Sequence, residues 1–104
     1  MKYCWVITKD HIADKKAPGG TNLNAVGMRG PKGATKEEGD AALRRGEEFR
    51  MYDDDKQLYY EGKILIDRTD NDISLFEPLD DFGMPNAGCT GIMYKDENGV
   101  WEWL

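Results

Sequence analysis

The sequence contains few of the residues from which metal and redox sites are built. It has one histidine, His11, and two cysteines, Cys4 and Cys89, with no Cys-x-x-Cys pair. A structural zinc site needs about four such ligands, so the sequence argues against one. It also lacks the run of about 20 apolar residues that a membrane-spanning helix requires, and its N-terminal segment lacks the apolar stretch and cleavage site of a secretory signal. We therefore expect a cytoplasmic protein with free thiols, no cofactor and no membrane contact.

Basic residues are outnumbered by acidic ones. Fourteen Lys and Arg stand against 20 Asp and Glu, which gives a net charge of −6. Proteins that bind the phosphate backbone of nucleic acids usually carry a basic patch, so the excess of acidic residues argues against direct nucleic-acid binding. It permits attraction to a basic protein surface. The alternative is that the charge serves only solubility.

The clearest structural signal is the segment from residue 49 to 67, which predicts a β-hairpin. Its polar turn, residues 53–57, is rich in aspartate, a residue that tolerates and caps tight turns. After the turn, every second residue is apolar or glycine. This two-residue period is typical of a strand with one buried and one solvent-exposed face. One face is predicted to carry Leu58, Tyr60, Gly62, Ile64 and Ile66, with Tyr59, Glu61, Lys63 and Leu65 opposite. The glycine inside this strand predicts a bulge or a close backbone approach.

The remaining elements are short. Residues 3–8 are apolar at nearly every position and predict a central strand covered on both faces. Thr35 and Glu38 have capping-box spacing and predict a helix to about residue 45, ended by Gly46. Asn98-Gly99 predicts a terminal hairpin of residues 91–94 and 100–104. Residues 17–34 and 77–91 are interpreted as long loops, and 23–28 and 73–76 as candidate short strands.

Together these patterns predict one domain over residues 1–104. The expected fold is α+β, with a small twisted antiparallel sheet of five or six strands and one short helix packed on one face. A small open barrel is the alternative.

No motif predicts an enzyme. A thiol nucleophile beside His11 would need an activated cysteine, but Cys4 lies in an apolar strand and nothing local activates Cys89. The aspartate clusters at 53–55, 67–72 and 80–81 lack EF-hand spacing. The glycines of the 17–34 loop do not follow the order of a phosphate-binding loop.

Two features favour a binding protein. The first is a set of carboxylates that form one acidic face if the 53–57 turn and the 80–81 loop lie together. The second is a set of interface-type aromatic residues, Tyr52, Tyr59, Trp101 and Trp103, although the tryptophan pair closing the core is the alternative. The residues we expect to contact a partner are Asp53, Asp54, Asp55, Tyr59, Glu61, Asp80 and Asp81.

Three stretches, GTNLNAVGMRGPKGAT, FRMYDDDKQLYYEGKI and FEPLDDFGMPNAGCTGIMY, resemble those of short uncharacterised proteins of bacteria, phages and mobile elements. The resemblance implies no catalytic residue. Small acidic products of such elements are often inhibitors of host defence, including anti-CRISPR proteins, and this analogy concerns size, charge and genetic setting. It implies a protein, monomeric or homodimeric, that occupies a basic surface on a complex such as a CRISPR effector.

Two other functions remain open on the sequence. The long loops 17–34 and 77–91 are candidates for a ligand-binding or enzymatic site. Its lining would be Asn22, Asn24, Arg29, Asn86 and Cys89. The third possibility is a structural homodimer formed by pairing of exposed edge strands.

Overall fold

A computed structural model of the chain describes residues 3–12, 24–66 and 75–104. Within these ranges, six strands form a single antiparallel sheet in the order β2-β1-β4-β3-β5-β6. The strands are β1 (Tyr3–Asp10), β2 (Arg29–Gly30), β3 (Glu47–Tyr52), β4 (Leu58–Ile66), β5 (Gly91–Lys95) and β6 (Trp101–Trp103). The sheet is open, with β2 and β6 at its edges, so the predicted α+β class is confirmed and the barrel alternative is wrong.

The longest pairing in the sheet joins β1 to β4. The sequence predicted this burial for β1, and Cys4, Trp5, Val6 and Ile7 are all buried. Gly62 of β4 lies between two neighbouring strands. A Cβ atom there would come within 2.4 Å of both the Val6 carbonyl oxygen and the Phe49 ring. The close approach that the sequence predicted for this glycine is therefore confirmed. The absence of a side chain leaves room for the Val6 backbone and the Phe49 ring to pack against β4.

Helix α1 (Lys36–Arg45) covers one face of β1 and β4. The predicted capping box is present, since the Thr35 hydroxyl accepts from the Glu38 amide and the Glu38 carboxylate accepts from the Thr35 amide. Ala42 is fully buried against Cys4 and Val6. Gly46 ends the helix with φ −74°, outside the left-handed region. Its lack of a side chain serves packing instead, because a Cβ would lie 2.5 Å from the Ala42 carbonyl oxygen.

The larger core lies on the opposite face, where residues 75–90 cross the sheet. The sequence predicted an irregular loop here, but a π-helical turn (Leu79–Gly83) leads directly into a short helix, α2 (Met84–Ala87). The Phe82 ring lies 5.3 Å from that of Trp5 and 5.1 Å from that of Tyr60, measured between centroids. Burial of Phe82 against two aromatic residues of the sheet gives the segment its fixed course.

Two of the predicted short strands differ from the structure. Residues 24–28 are not a strand, and the strand forms instead at β2, where Gly30 allows the Trp5 ring to approach. Leu75 and Phe76 form a turn, while the rest of the predicted 73–76 strand lies outside the described residues. The terminal hairpin is confirmed as β5 and β6. None of the helices in the described ranges is long and apolar enough to span a membrane.

Candidate protein-binding surface

One half of the sheet face that carries α1 is left open by the helix. Because Phe49 and Met51 of β3 are buried in the larger core, the alternating residues Arg50 and Tyr52 point to the α1 side. Directly paired residues share a face, and Arg50 pairs with Met93, which in turn pairs with Trp103. We call Arg50, Tyr52, Met93, Trp101 and Trp103 the aromatic face. It extends from β3 to the sheet edge at β6.

The aromatic face is organised by ring contacts. The Tyr52 and Trp103 rings meet edge to face with centroids 4.8 Å apart. The guanidinium carbon of Arg50 lies 3.9 Å from the Trp101 ring centroid, within cation–π range. Trp103 is 48% exposed and neither tryptophan belongs to the core clusters. The alternative in which the tryptophan pair closes the core is therefore wrong.

Glu61 borders the aromatic face but is occupied within the fold. Its carboxylate lies 2.7 Å from His11 Nε2 and 3.1 Å from Arg50 Nε, and its side chain is 17% exposed. Burial raises the pKa of this carboxyl, but hydrogen bonds with His11 and Arg50 outweigh burial and hold the pKa below its ordinary value. The predicted contact residue Glu61 thus orients Arg50 over Trp101.

The acidic turn, residues 53–57, divides its aspartates between two roles. Asp53 Oδ1 accepts the backbone amides of Asp55 and Gln57 at 2.9 and 2.8 Å. A hydrogen bond to the Asp53 carboxylate is the main reason why the pKa of Tyr59 is raised. Asp53 therefore holds the turn together, while Asp54 and Asp55 are exposed. Of the three predicted aspartates, these two present their carboxylates to solvent.

Tyr59 does not lie where strict alternation predicted. The pairing of β3 with β4 shifts register between Met51 and Tyr52, and Tyr52 pairs with Leu58 while Met51 pairs with Tyr60. Tyr59 is the extra residue of this bulge, and it packs against the larger core. Its phenol supports Asp53, so its contribution to a binding surface is indirect.

A shallow depression of about 340 Å³ joins the acidic turn to the aromatic face. Its lining residues are Asp53, Asp54, Lys56, Thr90, Gly91 and Trp103. Gly91 makes room for the indole, since a Cβ there would lie 3.0 Å from the Trp103 ring. The depression places an exposed carboxylate and a half-exposed tryptophan ring on the same opening.

The structure does not bring Asp80 and Asp81 to the acidic turn. Asp81 Oδ2 accepts from Tyr3 Oη at 2.8 Å and from Trp5 Nε1 at 2.9 Å, which fixes it near the start of β1. The acidic turn lies beyond the other end of β1, where Asp10 pairs with Tyr60. At about 3.3 Å per strand residue, the two clusters are roughly 20 Å apart. The single acidic face expected from the sequence does not form, and Asp81 is a structural hydrogen-bond acceptor.

The described residues expected to line a ligand-binding or enzymatic site in loops 17–34 and 77–91 lie on different sides of the sheet. Arg29 donates to the Ala34 carbonyl on the α1 side, whereas Asn86 donates to the Tyr60 hydroxyl on the opposite side. Asn24 accepts from the Val26 amide in a local turn, and Asn22 lies outside the described residues. The members of this set that the structure describes do not converge on one cavity.

Neither thiol is placed for nucleophilic chemistry. Cys89 is fully buried, and burial raises its pKa to about 12. Burial likewise raises the pKa of Cys4. The two cysteines are unpaired and belong to core clusters on opposite faces of the sheet.

The glycines and acidic clusters considered for phosphate and calcium have other structural roles or lie outside the described ranges. Gly30 faces the Trp5 ring, and a Cβ there would come 2.2 Å from it, so this glycine serves packing. Residues 67–72, which hold one aspartate cluster, lie outside the described ranges. Within those ranges, no three histidine, cysteine, aspartate or glutamate side chains are grouped as metal ligands.

The fold and its open face define a small α+β protein with an exposed aromatic and acidic surface. Comparison of the chain with protein-family models, curated proteins and solved structures finds no match. The resemblance to phage and mobile-element proteins therefore stays a prediction. The signal for the aromatic face was present in the sequence as alternating Trp101 and Trp103, but the contribution of Arg50 and Met93 depends on strand pairing across the sheet.

Proposed function

We propose that this chain is a non-enzymatic binding protein that occupies a basic surface on a nucleic-acid-handling complex, such as a CRISPR effector. The observation that carries the proposal is the depression between the acidic turn and the aromatic face. Asp54 and the half-exposed Trp103 both line it. Tryptophan and tyrosine dominate the centres of protein interfaces, and charged residues occupy the rim.

The charge of the chain supports a basic partner. A net charge of −6 attracts a positive surface over a distance comparable to the Debye length of about 8 Å at physiological salt. Asp54 and Asp55 add local negative charge next to the aromatic face. Binding of this kind occupies residues of the partner that would otherwise contact phosphate, so the proposed protein inhibits its partner without catalysis.

The buried groups support a non-enzymatic role. Both thiols are buried with raised pKa values, and His11 is hydrogen-bonded to Glu61 rather than to either cysteine. Two buried, unpaired cysteines support a cytoplasmic location as part of this proposal, because thiols stay reduced in that compartment.

The test compares two variants that lose the same charge at different places. Asp54→Asn with Asp55→Asn removes the exposed carboxylates of the acidic turn. Glu37→Gln with Asp40→Asn removes two carboxylates from α1, which lies on the β1–β4 half of the sheet. Tagged proteins are incubated with nuclease-treated bacterial lysate that contains CRISPR complexes, and bound proteins are identified by mass spectrometry.

We expect one dominant basic protein to bind the wild type and the α1 variant, and to be depleted at least about fivefold with the acidic-turn variant. The purified partner should then lose its nucleic acid when the wild-type protein is added, as measured by fluorescence anisotropy of a labelled strand. If both variants bind equal amounts of this basic protein, the acidic turn does not contact it. If the wild-type protein binds no partner in the lysate, the proposed function is contradicted.

A further inference from the structure

Strand β6 ends the sheet in the part of the chain that the structure describes. Its hydrogen bonds to β5 show which backbone groups face inward. The Leu104 amide donates to the Ile92 carbonyl, and the Asp96 amide donates to the Val100 carbonyl. Antiparallel pairing alternates, so residues 100, 102 and 104 face β5, and the N–H and C=O groups of Trp101 and Trp103 point away from the sheet.

The side chains along this edge are half-buried at Trp101 and exposed at the other positions, and they differ chemically between the two faces. Trp101 and Trp103 extend the aromatic face, with Trp103 48% exposed. Glu102 is exposed on the other face, and it pairs with Tyr94 of β5. The flanking Val100 and Leu104 are 53% and 46% exposed. The edge thus offers unpaired backbone groups, two indole rings and one carboxylate within a single short strand.

We propose that β6 accepts an extended basic segment of the partner as a seventh, antiparallel strand. This inference rests on the proposed function and specifies how the partner is held. Main-chain hydrogen bonds to Trp101 and Trp103 supply the pairing, as in other cases of strand addition. Residues of the added strand opposite the tryptophans lie on the aromatic face, and the residue opposite Glu102 is lysine or arginine.

Charge argues for a basic segment over a second copy of this chain. A two-fold antiparallel pairing that uses the backbone groups of both tryptophans sets Trp101 opposite Trp103. The same register sets the Glu102 carboxylates of the two copies opposite each other. Like charges directly opposite in a sheet are destabilising, whereas an opposite pair is stabilising. The nearby acidic residues of the β5–β6 turn, Asp96 and Glu97, add to this preference.

The first experiment uses a fluorescein-labelled eight-residue peptide in which lysine alternates with valine. Anisotropy gives its Kd for the wild-type protein. With lysine opposite Glu102, the valine amides face β6 and the lysine amides face away. We therefore expect N-methylation of the valine amides to weaken binding at least about tenfold, and N-methylation of the lysine amides to leave it unchanged. A glutamate–valine peptide should bind at least about tenfold more weakly than the lysine–valine peptide.

Variants of β6 test the same geometry from the protein side. Trp103→Pro and Trp103→Ala both remove the ring, but only the proline lacks the outward N–H. Since that N–H is not bonded to β5, both variants keep the β5–β6 ladder, which circular dichroism checks. We expect the proline variant to bind the lysine–valine peptide at least about fivefold more weakly than the alanine variant. Glu102→Lys should reverse the preference between the lysine and glutamate peptides.

The outcomes separate this inference from the proposed function. Equal binding of the two N-methylated peptides means electrostatic attachment without strand addition, and it overturns the inference even if Trp103→Pro fails to fold. A concentration-dependent dimer in light scattering that Trp103→Pro abolishes and Trp103→Ala retains, together with no peptide binding, means that a second copy occupies the edge and overturns the inference. If the lysate partner binds Trp103→Pro and Glu102→Lys as well as it binds the wild type, the proposed function stands and β6 is not its contact.

Discussion

Removal of the Asp81 carboxylate is expected to destabilise the fold rather than only to alter a binding surface. Asp81 accepts hydrogen bonds from Trp5 Nε1 at 2.9 Å and from Tyr3 Oη at 2.8 Å. Trp5 is 3% exposed, so its N–H is largely shielded from water, and the space left by the exposed Asp81 side chain is the route by which water reaches it in the variant. Tyr3 loses less, because its hydroxyl also lies 3.0 Å from the Glu77 carboxylate.

The magnitude follows from these contacts. A hydrogen bond to a charged group contributes about 1.5–3 kcal/mol, and a buried donor left without an acceptor costs about 1–3 kcal/mol. We therefore expect Asp81→Ala to lower the free energy of unfolding by about 1.5–3 kcal/mol. With a urea m value of about 2 kcal/mol/M, the midpoint should fall by roughly 1 M.

The assay is urea unfolding followed by far-UV circular dichroism, with Asp80→Ala as the matched control. Asp80 is exposed, and we expect its removal to change stability by less than about 0.5 kcal/mol. In a Trp5→Phe background, which lacks the indole donor, Asp81→Ala should cost less than about 1 kcal/mol. Equal midpoints for the Asp80 and Asp81 variants, or an unchanged cost in the Trp5→Phe background, would refute the assigned structural role.

Three further expectations concern acid stability, thiol reactivity and strand packing. The pKa of Glu61 is lower in the folded than in the unfolded protein, so its ionised carboxylate stabilises the fold. This contribution is present above the unfolded pKa of about 4.3 and is lost as the pH falls through the folded pKa. In urea unfolding, the unfolding free energy of the wild type should therefore fall more between about pH 5 and 3 than that of Glu61→Gln. Cys4 and Cys89 should react with a thiol reagent at pH 8 only after urea is added, and rapid labelling of the native protein would contradict their burial. Gly62→Ala should destabilise the fold by about 3 kcal/mol in urea unfolding, because the new methyl group meets Phe49 and backbone, and a midpoint within error of the wild type would contradict this packing.

Local signals in the sequence predicted the elements that depend on neighbouring residues. The capping box at Thr35, the turn held by Asp53 and the hairpin at Asn98-Gly99 all form as expected, because each requires only contacts a few residues apart. The alternation of β4 likewise predicted the burial of Tyr60 and Ile64.

Contacts between distant residues account for what the sequence did not predict. The hydrogen bond between Trp5 and Asp81 spans 76 residues, and no local pattern marks it. The helical course of residues 79–87 depends on Phe82 fitting between rings supplied by β1 and β4. These contacts explain why Asp81 belongs to the scaffold rather than to the candidate site.

The bulge in the β3–β4 hairpin also depends on contacts that no local sequence pattern reveals. Strict alternation assigned Tyr59 to the face opposite Tyr60, but the register shift gives Tyr59 a place against the larger core. Its phenol then reaches Asp53, which is already engaged with two turn amides. A one-residue shift of this kind depends on how two strands fit together, so single-strand periodicity does not reveal it.

The position of β1 has a consequence for synthesis of the chain on the ribosome. β1 is made before its long partner β4, which ends at Ile66, and Cys4 pairs with Leu65. At about 5–20 residues per second, the apolar strand leaves the ribosome roughly 3–12 seconds before that partner is complete. Strands β3 and β4 can pair soon after they are synthesised, because they are joined by one short turn. The nascent chain therefore carries β1 as an apolar segment without its long partner until β4 has been made, and apolar segments of this kind are what cellular chaperones bind.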